Sequence, residues 1–364
     1  MATGRRFRHV PALDGLRGVA VVLVVLSHAD TTLPDGRPVP LPYRLLHGGF
    51  LGVDLFFVLS GFLITALLLE EANAGGVRPG AFYARRALRL LPALYLFLAV
   101  HAVYAWRAGL HAGNERSSIL RAVLYVSNWQ SADRLLSVSD GMGHLWSLAV
   151  EEQFYLGWPL LLVLLLAIDP RRRALPWVLS VAVVGIGIHR AVLWQHGLTW
   201  IPLFVRTDTR ADALLLGALG AVLWHRGAPA RPERLATTGT VAALLALVIV
   251  LFARHDLAWM YLGGLTAFAI CAGLVVVAVA ETDSVLSRAL AHPGLRRLGR
   301  VSYGLYLWHL LVFSAVRRWV DPAVPVVPRL LLALAISAGC TAISWTVVER
   351  PALRMKRRFT APSA

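Results

Sequence analysis

The sequence predicts an all-α, polytopic membrane protein of about ten transmembrane helices, with both termini in the cytoplasm. Three observations carry this. The chain is 57% hydrophobic and only 15% charged, outside the range of soluble globules. Apolar runs of roughly 17 to 25 residues, the length a bilayer core requires, recur from Val19 to Thr346. Basic residues also collect in alternate loops, 22 on one side against seven on the other, and the richer side is the cytoplasmic one.

The spans fall at 13–33, 47–70, 87–107, 144–168, 174–194, 209–225, 236–253, 259–280, 301–319 and 328–349. The start is basic, with Arg5, Arg6 and Arg8. Arg17 lies within the apolar run and no small-residue cleavage site follows, so the first segment reads as a span and not a signal peptide. The cytoplasmic loops gather Arg78, Arg85, Arg86 and Arg89, then Arg171 to Arg173, Arg226, Arg231, Arg234, Arg288, Arg296, Arg297 and Arg300. The opposite loops hold Arg37, Arg44, Arg116, Arg121, Arg134, Arg206 and Arg254. The stretch 108–143 has room for a short interfacial or re-entrant helix over 119–129. A membrane domain thus covers 1–352, and 353–364 is a basic cytoplasmic tail. No internal repeat is present to suggest an inverted-repeat transporter. Net charge is +16 and 35 of the 36 basic residues are arginine; topology accounts for this excess, so no nucleic-acid partner is expected. Cys271 and Cys340 both lie in apolar spans, against a disulfide framework. No metal-ligand spacing is present, and metal-free chemistry is expected.

Ionisable residues inside spans are costly and mark function by default. Span four, HLWSLAVEEQFYLGWPLLLVLLLAI, carries Glu151 and Glu152 side by side. Span one, LDGLRGVAVVLVVLSH, carries Arg17 and His28, eleven residues or about 16 Å apart and on one helical face. Span two, GGFLGVDLFFVLSGFLI, carries Asp54. Counted inward from the span starts at His47 and His144, Asp54 lies about 10 Å deep and Glu152 about 12 Å. That puts His28, Asp54 and Glu151 or Glu152 in one outer polar cavity, where an imidazole beside a carboxylate suits general-base chemistry. In FYARRALRLLPAL, Arg85, Arg86 and Arg89 share a helical face at the cytoplasmic entrance. Arginine forks there suit phosphates, although positive-inside anchoring alone also places arginines in such loops. Gly48, Gly49, Gly52 and Gly61 permit close helix approach. Arg210 and Asp212 in RTDTRADALLLGAL, and Tyr306, Trp308 and His309 in SYGLYLWH, are further candidates for substrate contact. Glu349–Arg350 in VERP reads as an end-of-span pair.

This ordered set of seven motifs, from residue 11 to about 352, resembles the membrane-bound acyltransferase family 3, the integral-membrane O-acyltransferases. The resemblance implies ten spans and an acyl-CoA donor reaching the protein from the cytoplasm. It implies transfer of the acyl group, acetyl or another short chain, to a hydroxyl of a sugar, cell-envelope glycan or glycosylated secondary metabolite. It also implies functional roles for the Arg17–His28 pair and for Arg86-x-x-Arg89. Residue reading and resemblance combine in one expectation. Arg85, Arg86 and Arg89 bind the phosphates of coenzyme A, and the pantetheine arm passes Arg17. His28, oriented by Asp54 or Glu152, then deprotonates the acceptor; Glu151, Arg210, Asp212, Tyr306, Trp308 and His309 contact substrate. The expected setting is a bacterial plasma membrane. Some family members continue into an external esterase-like domain. About fifteen residues follow span ten here, so no relay to a second domain, and no acylation of bulky distant polymers, is expected. An exporter or flippase of glycan or lipid-linked sugar would share the intramembrane polar residues but need no acyl-CoA. A structural subunit would need no His–carboxylate cluster.

Overall fold

The computed structural model describes residues 9–34, 47–133, 138–227 and 231–355. Arg5, Arg6, Arg8, Arg37, Arg44 and Arg134, and the tail from Lys356 on, lie outside the described residues. Ten long helices form the body: α1 (Pro11–Ser27), α2 (Gly52–Asn73), α3 (Pro79–Arg107), α4 (Leu145–Ile168), α5 (Leu175–Gln195), α6 (Thr207–His225), α7 (Pro232–Phe252), α8 (Leu265–Glu281), α9 (Pro293–Trp319) and α10 (Val326–Ser344). Among the described residues there is no strand. The architecture is all-α and polytopic. Each long helix covers a span expected from the hydropathy pattern. Seven, counted over their extended ranges, are long and apolar enough to cross a membrane. The other three are α1, which is short, and α6 and α9, which carry several charges.

Local chemistry explains many of the starts. Proline opens α1, α3, α7 and α9, where its fixed φ suits a first turn and its missing N–H costs nothing. Two short helices, Ala112–Val123 and Ser127–Asp133, fill the stretch where one interfacial helix was expected. A π turn, Trp345–Glu349, follows α10 and carries the buried Glu349.

The span containing α2 is the most enclosed, 78% buried against 17% for those of α5 and α7. It packs on α1, α4, α6 and α8. Small residues set the approach. A Cβ on Gly61 would stand 1.9 Å from the Leu214 carbonyl of α6, and one on Gly217 2.0 Å from that of Val58. Where α1 crosses α9, a Cβ on Gly299 would stand 1.8 Å from the Asp14 carbonyl. Lipid gives helices no hydrophobic reason to associate, so such backbone-to-backbone packing must hold them. The α1–α9 contact is what brings Arg17 and His28 to the site.

Candidate active site

The site begins with an ion cluster between α1, α3 and α4. The Arg86 guanidinium lies 3.5 Å from Glu151, 3.8 Å from Glu152 and 3.4 Å over the Tyr155 ring. Glu151 also accepts hydrogen bonds from Ser60 and Tyr155. Arg89 is within electrostatic reach of Arg17, Arg86 and Glu349, and Glu349 accepts from Ser344 at 2.9 Å. Among the described residues, neither Arg17 nor Arg89 makes an ion pair within 4 Å. Half-buried guanidinium groups left in that condition are suited to an incoming anion, because a desolvated charge without a partner is costly.

A narrow cavity of about 40 Å³ continues from this cluster. Arg17, Glu151, Ser147, Ser302, Tyr303 and Tyr306 form its polar lining, with Val53, Phe56, Phe57 and Leu148 as apolar walls. Tyr306 donates to the His144 carbonyl at 2.9 Å, and its hydroxyl also bonds Ser147. One turn on, His309 Nδ1 meets the Tyr306 carbonyl at 2.6 Å, and His309 Nε2 stands 3.4 Å from His28 Nδ1. His28 Nδ1 in turn lies 2.9 Å from the Val24 carbonyl. A carbonyl only accepts, so these partners assign the proton of each neutral ring to Nδ1 and leave Nε2 bare. His28 therefore holds a free lone pair on Nε2, while its N–H is anchored by Val24 and faced by His309.

The structure corrects how His28 is oriented. Asp54 is not its partner: both Asp54 oxygens accept from Arg210 at 2.8 Å. Arg190 bonds Asp212 at 2.9 Å, and Thr266 donates to Asp212 at 2.7 Å. All four charged residues are at most 2% exposed. Asp54, Arg210 and Asp212 thus belong to a buried network tying α2, α5, α6 and α8, where each charge needs an opposite one. Glu152 is not the partner either; it faces Arg86. The depth count misled because it treated every span start as lying in one plane. His144, the start of span four, is itself level with His309, its ring centroid 5.2 Å away. Glu151 and Glu152 lie two turns further along and so meet the arginines. Arg85 is turned aside, bonded to Glu71 at 2.5 Å. Trp308 is buried against Phe97.

Two residues went unread. His144 lies in one row with Ser147, Glu151 and Tyr155, a spacing visible in the sequence. Glu349 read as an end-of-span charge, but it is 5% exposed and sits against Gly304 of α9.

Fold and site together define a polytopic membrane protein with clustered arginines, a small polar-lined cavity and a histidine pair one turn from it. The chain belongs to the acyltransferase domain family, whose model matches residues 10–349. It is 32% identical over 364 residues to the peptidoglycan O-acetyltransferase OatA of Listeria monocytogenes, covering 94% of this chain and 56% of that protein. It is 33% identical over 361 residues to a Bacillus subtilis protein provisionally named peptidoglycan O-acetyltransferase YrhL, covering 94% and 55%. A Staphylococcus aureus protein provisionally named as an O-acetyltransferase is 32% identical over 339 residues, covering 88% and 54%. The chain spans a little over half the length of these relatives. No solved structure matches.

Proposed function

We propose that this chain is an integral-membrane O-acyltransferase that moves an acetyl or other short acyl group from acyl-CoA to a hydroxyl of a cell-envelope glycan. Two relatives carry peptidoglycan in their names, so bulky polymers belong among the candidate acceptors. The proposed setting is the plasma membrane, with ten spans and both termini cytoplasmic. Arg17, Arg86 and Arg89 receive the phosphates of coenzyme A, and the thioester lies in the cavity beyond. The Ser147 and Tyr306 hydroxyls, bonded to each other and to the His144 carbonyl, give the thioester pocket a polar wall. His28 Nε2 takes the proton of the acceptor hydroxyl, whose oxygen bonds the acyl carbon. The carbon–sulfur bond breaks, and the proton passes to the departing thiolate. His309 and the Val24 carbonyl hold the His28 ring, the task a carboxylate performs in other general-base sites.

The observation that supports this reading best is the bare Nε2 of His28, whose ring meets His309 one turn from Tyr306 of the Arg17-lined cavity. Removing a general base costs about 100- to 10,000-fold in rate. His28→Ala is expected to lose transfer by that factor while keeping acyl-CoA affinity. Labelled acyl transfer by the purified variant, measured beside donor binding, tests this. Near-normal turnover would overturn the reading.

A further inference from the structure

His144 is an imidazole the mechanism above leaves unused, and its setting is unusual. It is 2% exposed, both ring nitrogens are buried without a well-formed hydrogen bond, and the Leu307 carbonyl is the backbone group within polar reach of the ring. Its ring packs edge-to-face on His309 and Tyr306, with centroids 5.2 Å away in each case. The His28 and His309 rings are likewise 5.2 Å apart. Three imidazoles, from the C-terminal end of α1, from α9 and from the start of α4, therefore form one cluster.

We infer that His144 is a positioning residue for acyl transfer, stabilising through the lone pair of its unprotonated ring nitrogen the single positive charge that the His28–His309 pair acquires when the acceptor is deprotonated. The inference rests on the reading of His28 as base. When His28 takes up a proton, a cation forms in a desolvated site. Of the carboxylates, Asp54 is bound to Arg210, Glu151 and Glu152 face Arg86, and the exposed Asp30 acts on His28 less than the Val24 carbonyl does. The titratable groups facing His144 are His28 from α1, His101 from α3, and Tyr306 and His309 from α9. No carboxylate is among them in the described residues. The charge must then be met by dipoles, and a bare imidazole nitrogen is a strong one. Two unmet polar atoms are a poor choice for packing, since a buried group without a partner costs stability. A phenyl ring would fill the same space without that cost.

The test separates nitrogens from shape. His144→Phe keeps an aromatic ring against Tyr306 and His309 but has no polar atom. The expected result is a kcat at least tenfold lower, with the KM for acyl-CoA within twofold of wild type and thermal stability equal or higher. His144→Gln restores polar atoms without a ring and should recover part of the lost kcat; this second variant decides the matter if the phenyl variant folds poorly. Wild-type kcat in His144→Phe, or equal loss in both variants with raised donor KM, overturns the inference and makes His144 a packing residue. Turnover retained in a parallel His28→Ala preparation would instead overturn the general-base reading, so the two failures are distinguishable.

Discussion

Neutralising Asp54 tests whether this carboxylate serves structure or chemistry. It is 1% exposed, and both its oxygens accept at 2.8 Å from the single Nη2 of Arg210, itself 1% exposed. Arg210 Nε and Nη1 have no other hydrogen-bond partner, so Asp54→Asn leaves a buried guanidinium without its compensating charge. Breaking one side of such a pair costs about 3–5 kcal/mol, a large fraction of the roughly 5–15 kcal/mol that holds a typical domain together. Asp54→Asn and Arg210→Met should each lower abundance in the membrane and the unfolding temperature of the detergent-solubilised protein. The double variant Asp54→Leu with Arg210→Met removes both charges and should recover most of that stability, because replacing a whole buried pair with apolar groups is often neutral. Total acyl transfer should follow the folded fraction, with transfer per folded molecule unchanged. Asp54→Asn protein with wild-type abundance and unfolding temperature but no transfer would refute this reasoning and return Asp54 to the catalytic machinery.

Other expectations follow from the same geometry. Arg89→Ala should raise the KM for acyl-CoA about tenfold or more, the worth of a charge-assisted hydrogen bond. Arg89→Lys should rescue it poorly because the fork is lost, and Arg85→Ala should change donor KM least of the three entrance arginines; titrating donor KM across the set checks this. Gly299→Ala should push α1 from α9, since its Cβ would stand 1.8 Å from the Asp14 carbonyl. Overpacking of this kind costs about 1–3 kcal/mol. Both unfolding temperature and transfer should fall, because the same contact brings His28 to His309; wild-type values for both would show that the crossing is looser than described.

Much of the fold was legible in the chain itself. A bilayer core demands a run of about 20 apolar residues, and seven of the described long helices lie on such a run. The Arg17–His28 face was also readable, because Arg17 lies in α1 and His28 caps its C-terminal end, so helix geometry fixes most of their separation. The value of Tyr306 and His309 could be suspected from an aromatic cluster around an intramembrane histidine. Which side chain meets which could not be read. Asp54 and Arg210 are 156 residues apart in sequence, and Glu151 reaches Arg86 from another helix. Depth counted along one helix says nothing about its height relative to a neighbour. Only the packing of α1, α4 and α9 decides that His144, and not Glu152, stands level with His309. Burial then does the rest: in a low-dielectric interior Arg86, Arg190 and Arg210 capture carboxylates, and the His28 ring is held by the Val24 carbonyl and His309.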